Sequence, residues 1–68
     1  MTRKDYYLVA EALAKCAGGL GQDNLLYVAD MIAHDMQNDN PAFKPELFLK
    51  TAGVTQETLD QVEAERNA

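Results

Sequence analysis

Both prolines and both phenylalanines of this chain fall in one run, NDNPAFKPELFLKTAG, residues 38–53, and no regular element can pass through it unbroken. The residue before Pro41 is pushed out of helical geometry, and Asn40 or Asn38 tolerates the turn that follows. Pro45 suits the first turn of a new helix, where its missing N–H costs nothing, and Phe43 just ahead can fold back onto Leu47 or Phe48. The run therefore predicts a chain reversal and a short helix over 45–52, with Leu47, Phe48 and Ala52 on its buried side and Gly53 ending it. Phe43, Leu47 and Phe48 are expected in the core, which makes the run a structural joint and not a catalytic segment.

Helical punctuation continues on both sides. TRKD, residues 2–5, reads as a capping box, with Thr2 accepting from the backbone near Asp5 and Asp5 favourable at the positive end of the helix dipole. A first helix is expected over about 3–17, carrying Tyr6, Val9, Ala10, Leu13 and Ala17 on one face, Glu11 and Lys15 as an i,i+4 pair, and Leu8 as an exposed exception. AGGLGQD then predicts a helix–helix turn, closed by Gly18 or Gly19 in the left-handed conformation, with Asp23 capping the next helix. That second helix, about 23–38, places Leu25, Leu26, Val28, Ala29, Ile32, Ala33 and Met36 on a broad core face. After Gly53, Thr55 is the expected N-cap of a C-terminal helix, Val54 and Leu59 have the spacing of a hydrophobic staple, and Val62 is the last apolar anchor before residues that project or fray. The fold expected for residues 1–68 is a single all-α domain, a small helical bundle of three to four helices in which the two long ones run antiparallel.

A chain of 68 residues leaves a thin hydrophobic margin, so caps and core must cooperate. Its net charge is −5, unevenly spread: residues 1–34 carry three Lys/Arg against four Asp/Glu, residues 35–68 three against seven. Only Arg3 and Lys4 are adjacent cations, beside Asp5, which argues against direct binding of nucleic acid. The single cysteine excludes an internal disulfide and a multi-cysteine zinc site, and suits a reducing compartment. No long apolar run is present, so neither a signal peptide nor a membrane span is expected, and the expected location is the cytoplasm.

The same reading disposes of most chemistry. GGLGQDN follows a helix and lacks the Lys-Ser/Thr or full glycine fingerprint of a phosphate loop. His34 has no second histidine to share a metal, and Asp30 and Asp35 do not converge on it, so it reads as a solvated surface residue. Cys16 reads as a small core residue at the edge of an alanine-rich face. The acids Glu57, Asp60, Glu63 and Glu65 spread around their helix without a calcium-loop glycine. No catalytic residue, cofactor or metal site is expected, and the protein is not expected to be an enzyme. One feature resists a structural reading. On the side of the second helix away from the core, Tyr27, Met31, His34 and Asn38 succeed one another at spacings of four, three and four, with Asp30 beside them. Tyr and Met are enriched at recognition surfaces. Either the C-terminal helix folds over that stripe, or a partner does.

The opening MTRKDYYLVAEALA, together with NDNPAFKPELFLKTAGV, resembles a group of very small proteins encoded in bacteriophage and prophage genomes, which open with TRKDY…IA.AL and carry DNP.FD...FL.ACG. The two matches cover nearly half the chain. Where that pattern often has an acidic residue after the phenylalanine, this chain has Lys44 followed by Pro45, so no capping role carries over. The resemblance implies a phage-related origin in a bacterial host and no defined activity; many such small proteins bind a host protein, and some of similar size inhibit CRISPR or other defence complexes. The function expected is an acidic protein-binding module whose partner offers a basic surface, with Leu8, Tyr27, Asp30, Met31, His34 and Asp35 in contact. The alternative is a self-associating structural or assembly subunit, a homodimer through the same stripe.

Overall fold

The computed structural model describes residues 2–67. They form three helices, α1 (Arg3–Asp39), α2 (Pro45–Thr51) and α3 (Gln56–Asn67); no strand occurs among the described residues. The all-α expectation is met, and α1 spans both long helices expected from the sequence. A straight helix of its 37 residues would be about 55 Å long, yet the longest dimension of the molecule is 34 Å. The break is at Gly21, whose φ of 77° and ψ of 160° are non-helical and lie in a region essentially reserved for glycine. Gly18 and Gly19, expected to make this turn, lie inside helical backbone. The two limbs, 3–20 and 22–39, thus meet at one residue and not across a loop.

The reversal brings remote ends together. Asn40 closes the second limb: its N–H donates to the Met36 carbonyl at 2.9 Å, its Oδ1 accepts from the Ala42 N–H at 3.1 Å, and its Nδ2 reaches the Tyr6 hydroxyl at 3.4 Å. The expected asparagine turn therefore also fastens the end of one limb to the start of the other. At the hinge itself Asn24 Nδ2 donates to the Leu20 carbonyl at 2.9 Å, satisfying an acceptor that the break would orphan. Asp23, expected as a cap, is the second residue of the second limb, and its side chain is exposed.

α2 lies against α1. Its C-terminus is a Schellman motif: Val54 N–H donates to the Leu49 carbonyl at 3.0 Å and Gly53 N–H to the Lys50 carbonyl at 3.1 Å, with Gly53 at φ 99°. A Cβ at Gly53 would sit 3.4 Å from Ala17 Cβ and 3.7 Å from Leu25 Cδ2, so the backbone there abuts the hinge end of both limbs. At the other end of α2, Phe43 meets Tyr6 edge-on with ring centroids 4.9 Å apart and lies 5.6 Å from Phe48, an arrangement that favours aromatic pairs. The core joins Ala10, Leu25, Ala29, Ala33 and Met36 of α1 to Phe43, Phe48, Leu49, Ala52 and Val54.

Three expectations about burial need correction. Leu47 is 49% exposed, and Leu49 occupies the core position in its place; in a helix of seven residues only one narrow side faces α1, and Phe48 and Leu49 take it. Val28 is exposed because it lies at the margin of the face centred on Leu25, Ala29 and Met36. Cys16 is exposed, since steps of 100° per residue turn it away from the Tyr6, Ala10, Leu13 and Ala17 side.

α3 is held by its first turn. Thr55 Oγ1 accepts from the Thr58 N–H at 3.2 Å, the N-cap expected from sequence, and Val54 and Leu59, the expected staple, both join the core cluster. The last turns, with Glu63, Glu65 and Arg66, where projection or fraying is expected from the sequence, are helical through Asn67; Ala68 lies outside the described residues. One side chain not singled out in the sequence knots these parts. Gln22, next to the hinge, donates from Nε2 to the Gly53 carbonyl at 3.0 Å, while its Oε1 accepts from the Thr55 N–H at 3.0 Å and from Thr58 Oγ1 at 3.0 Å.

Two stability predictions follow from this packing. Phe48→Ala should cost about 3–5 kcal/mol, whereas Leu47→Ala should stay within about 0.5 kcal/mol of the parent; urea unfolding of both variants checks the contrast. Gln22→Ala leaves the Gly53 carbonyl and the Thr55 N–H without their partner and should lower stability by about 1–3 kcal/mol, measured in the same way.

Candidate interaction surface

The helical spacing of α1's second limb determines where its side chains point. With Leu25, Ala29, Ala33 and Met36 turned inward, Tyr27, Met31, His34 and Asn38 fall roughly on the opposite side. Tyr27 is 71% and Met31 55% exposed, and His34 and Asn38 are exposed beside them. The stripe therefore exists as one continuous face, and α3 does not cover it. Leu59, Val62 and Glu63 of α3 instead face Leu26, Asp30 and Leu49 across an open groove of about 950 Å³. The choice left by the sequence, fold-back or open face, is decided among the described residues in favour of the open face.

The other expected contact residues divide. Asp30 is exposed at the boundary between the stripe and that groove, placing a carboxylate along one edge of the Tyr27–Met31 pair. Asp35 is exposed on the other flank of the limb. Leu8 is 67% exposed but belongs to the first limb, on the side away from Tyr6 and Ala10, so the second limb's periodicity does not bring it to the stripe. Among the described residues no three His, Cys, Asp or Glu side chains are placed to share a metal ion, and no helix is long and apolar enough to cross a membrane. Every side-chain polar atom buried among them has a partner.

A second concavity lies at the junction of the α1 N-terminus, the Asn40 turn and α2. This cleft of about 460 Å³ has Tyr6, Ala10, Phe43 and Phe48 within it and Arg3, Tyr7, Lys44, Leu47 and Thr51 around it. The sequence does not show it, because its parts are separated by more than thirty residues and are united by the Tyr6–Phe43 packing and the Asn40–Tyr6 hydrogen bond. At the start of α1 the N-terminal capping box is complete: the Thr2 N–H donates to Asp5 Oδ2 at 3.0 Å and Thr2 Oγ1 does so at 3.1 Å, while the Asp5 N–H donates back to Thr2 Oγ1 at 3.4 Å. The backbone N–H of Thr2, aided by its hydroxyl, holds the Asp5 carboxyl below its ordinary value of 3.8.

Compared with protein-family models, curated proteins and solved structures, the chain matches none.

The Asp5 cap makes its contribution when ionised. Because its folded-state pKa is lowered, that contribution is complete above the ordinary carboxylate value and is lost as pH falls through the lowered one. Following the carboxyl carbon of Asp5 by NMR should show a midpoint below that of an unstructured aspartate, and Asp5→Asn should remove the accompanying acid-induced fraying of the first turn of α1. A midpoint at the unstructured value contradicts the cap in solution.

Proposed function

We propose that this protein is a small acidic binding module of phage type, acting in the cytoplasm of a bacterial host by occupying the surface of a host defence or nucleic-acid-handling complex and so inhibiting it, as anti-CRISPR proteins do. The observation that carries this reading is the open Tyr27–Met31 stripe. A domain of 68 residues uses one side of the limb for its core and leaves on the other a large aromatic ring and a thioether in water, an arrangement that lowers its free energy when a partner covers it. Asp30 and Asp35 flank the stripe, and the chain carries a net charge of −5. These charges favour encounter with a basic surface and discourage acidic ones, chiefly through the association rate. The resemblance of the N-terminal and proline-containing segments to phage and prophage proteins supports a host component as the target.

Tyr27→Ser combined with Met31→Gln separates interface from core. The double variant should melt within a few degrees of the parent and should lose capture of its partner from host lysate, and the parent's association rate should fall as salt is raised from 50 to 300 mM, concentrations chosen to span about a twofold change in Debye length. Unfolding of the variant, or undiminished capture, rejects the assignment of the stripe. A parent dimer in sedimentation that the double variant dissolves replaces heterologous binding by self-association as a phage structural or assembly subunit.

A further inference from the structure

The cleft beside the α1 N-terminus differs in charge from the rest of the molecule. The chain has 11 Asp and Glu against 6 Lys and Arg, yet among the described residues the charged side chains lining this cleft are Arg3 and Lys44, with no carboxylate. The larger groove on the α3 side mixes Asp30, Glu46 and Glu63 with Lys44 and Lys50. The Arg3 and Lys44 side chains are both exposed. Asp5, the acid nearest Arg3 in sequence, has its Oδ2 engaged by Thr2. Beneath the two cations lies aromatic surface, Tyr6 and Phe43 in edge contact, and Tyr7 and Leu47 stand half in water at the rim.

We propose that this cleft receives an acidic segment of another polypeptide, with an apolar or aromatic side chain entering between Tyr7 and Leu47 and a neighbouring carboxylate meeting Arg3 and Lys44. Charge complementarity selects an anion, and the aromatic floor selects an apolar group joined to it. The cleft is open along one side, whereas a site for a free metabolite buries most of its ligand; an extended segment can continue past the rim. Two cations on a chain of net charge −5 are too few to hold a polynucleotide backbone. The acids nearest the two cations in sequence, Asp5 for Arg3 and Glu46 for Lys44, are not among the residues lining this cleft, so the cations set the charge of its wall. The site shares no residue with the Tyr27–Met31 stripe and goes beyond the function proposed for it.

The test uses the full chain, labelled with ¹⁵N and titrated with the capped peptide acetyl-Asp-Phe-Asp-Gly-amide. Saturable shifts are expected in the amides of residues 3–10 and 40–51. The neutral twin acetyl-Asn-Phe-Asn-Gly-amide should bind roughly tenfold more weakly or worse. Lys44→Glu and Arg3→Glu, both at exposed positions, should each abolish saturation while leaving the melting temperature close to that of the parent. The Tyr27→Ser, Met31→Gln double variant should bind the acidic peptide as the parent does, which separates this site from the stripe. Equal binding of the two peptides, shifts confined to residues 27–38, no shifts at all, or phenylacetate binding as tightly as the peptide each overturn the proposal, the last by making the cleft a small-anion pocket. If a charge-reversed variant melts early, the comparison of the two peptides on the parent protein still decides.

Discussion

The fold depends on one backbone conformation. Gly21 takes φ 77° and ψ 160°, values closed to residues with a Cβ, and there the long helix folds back on itself. Because no side chain or backbone lies within 4 Å of a Cβ built on it, the need for glycine is purely conformational. Once the limbs double back, their ends meet through Asn40 and Tyr6, and α2 can lie along both. The hinge is secured from outside by Gln22, whose amide binds the Schellman loop and the first turn of α3 simultaneously. A weak element, the break, is thus stabilised by contacts that form only when α2 and α3 are in place.

Such polar fastening suits the composition of the core. Apart from Leu25, the innermost residues are alanines, Ala10, Ala29, Ala33 and Ala52. They permit close approach of helices but bury little area each, and small domains bury a smaller share of their surface than large ones. The large apolar contribution comes from the lid of Phe43, Phe48 and Leu49. Caps at Thr2 and Thr55, the Schellman motif at Gly53 and the asparagine turn satisfy helix ends that so small a core cannot shield from water.

The surface divides by residue type. One side of the second limb offers Tyr27 and Met31 with acids on its flanks, while the cleft at the α1 N-terminus gathers two of the chain's six cations over aromatic rings. The partners proposed for the two features differ accordingly, a basic surface for the stripe and an acidic segment for the cleft.

The sequence by itself determined whatever depends on neighbours a few residues away. The Thr2–Asp5 box, Pro45 at a helix start, the Thr55 cap, the Gly53 stop and the four-three-four spacing of the Tyr27 stripe all act within one or two turns, where backbone geometry and periodicity suffice. Tertiary structure decided the rest. Periodicity cannot say which of two leucines flanking Phe48 a short helix buries, and docking on α1 chose Leu49 over Leu47. Nor can composition select among four glycines for one hinge; Gly21 bends while Gly18 and Gly19 stay helical, because only a break there places Gln22 against Gly53 and Tyr6 against Phe43. The open state of the stripe and the cationic cleft were illegible for the same reason: both are set by where α2 and α3 dock, through contacts spanning more than thirty residues.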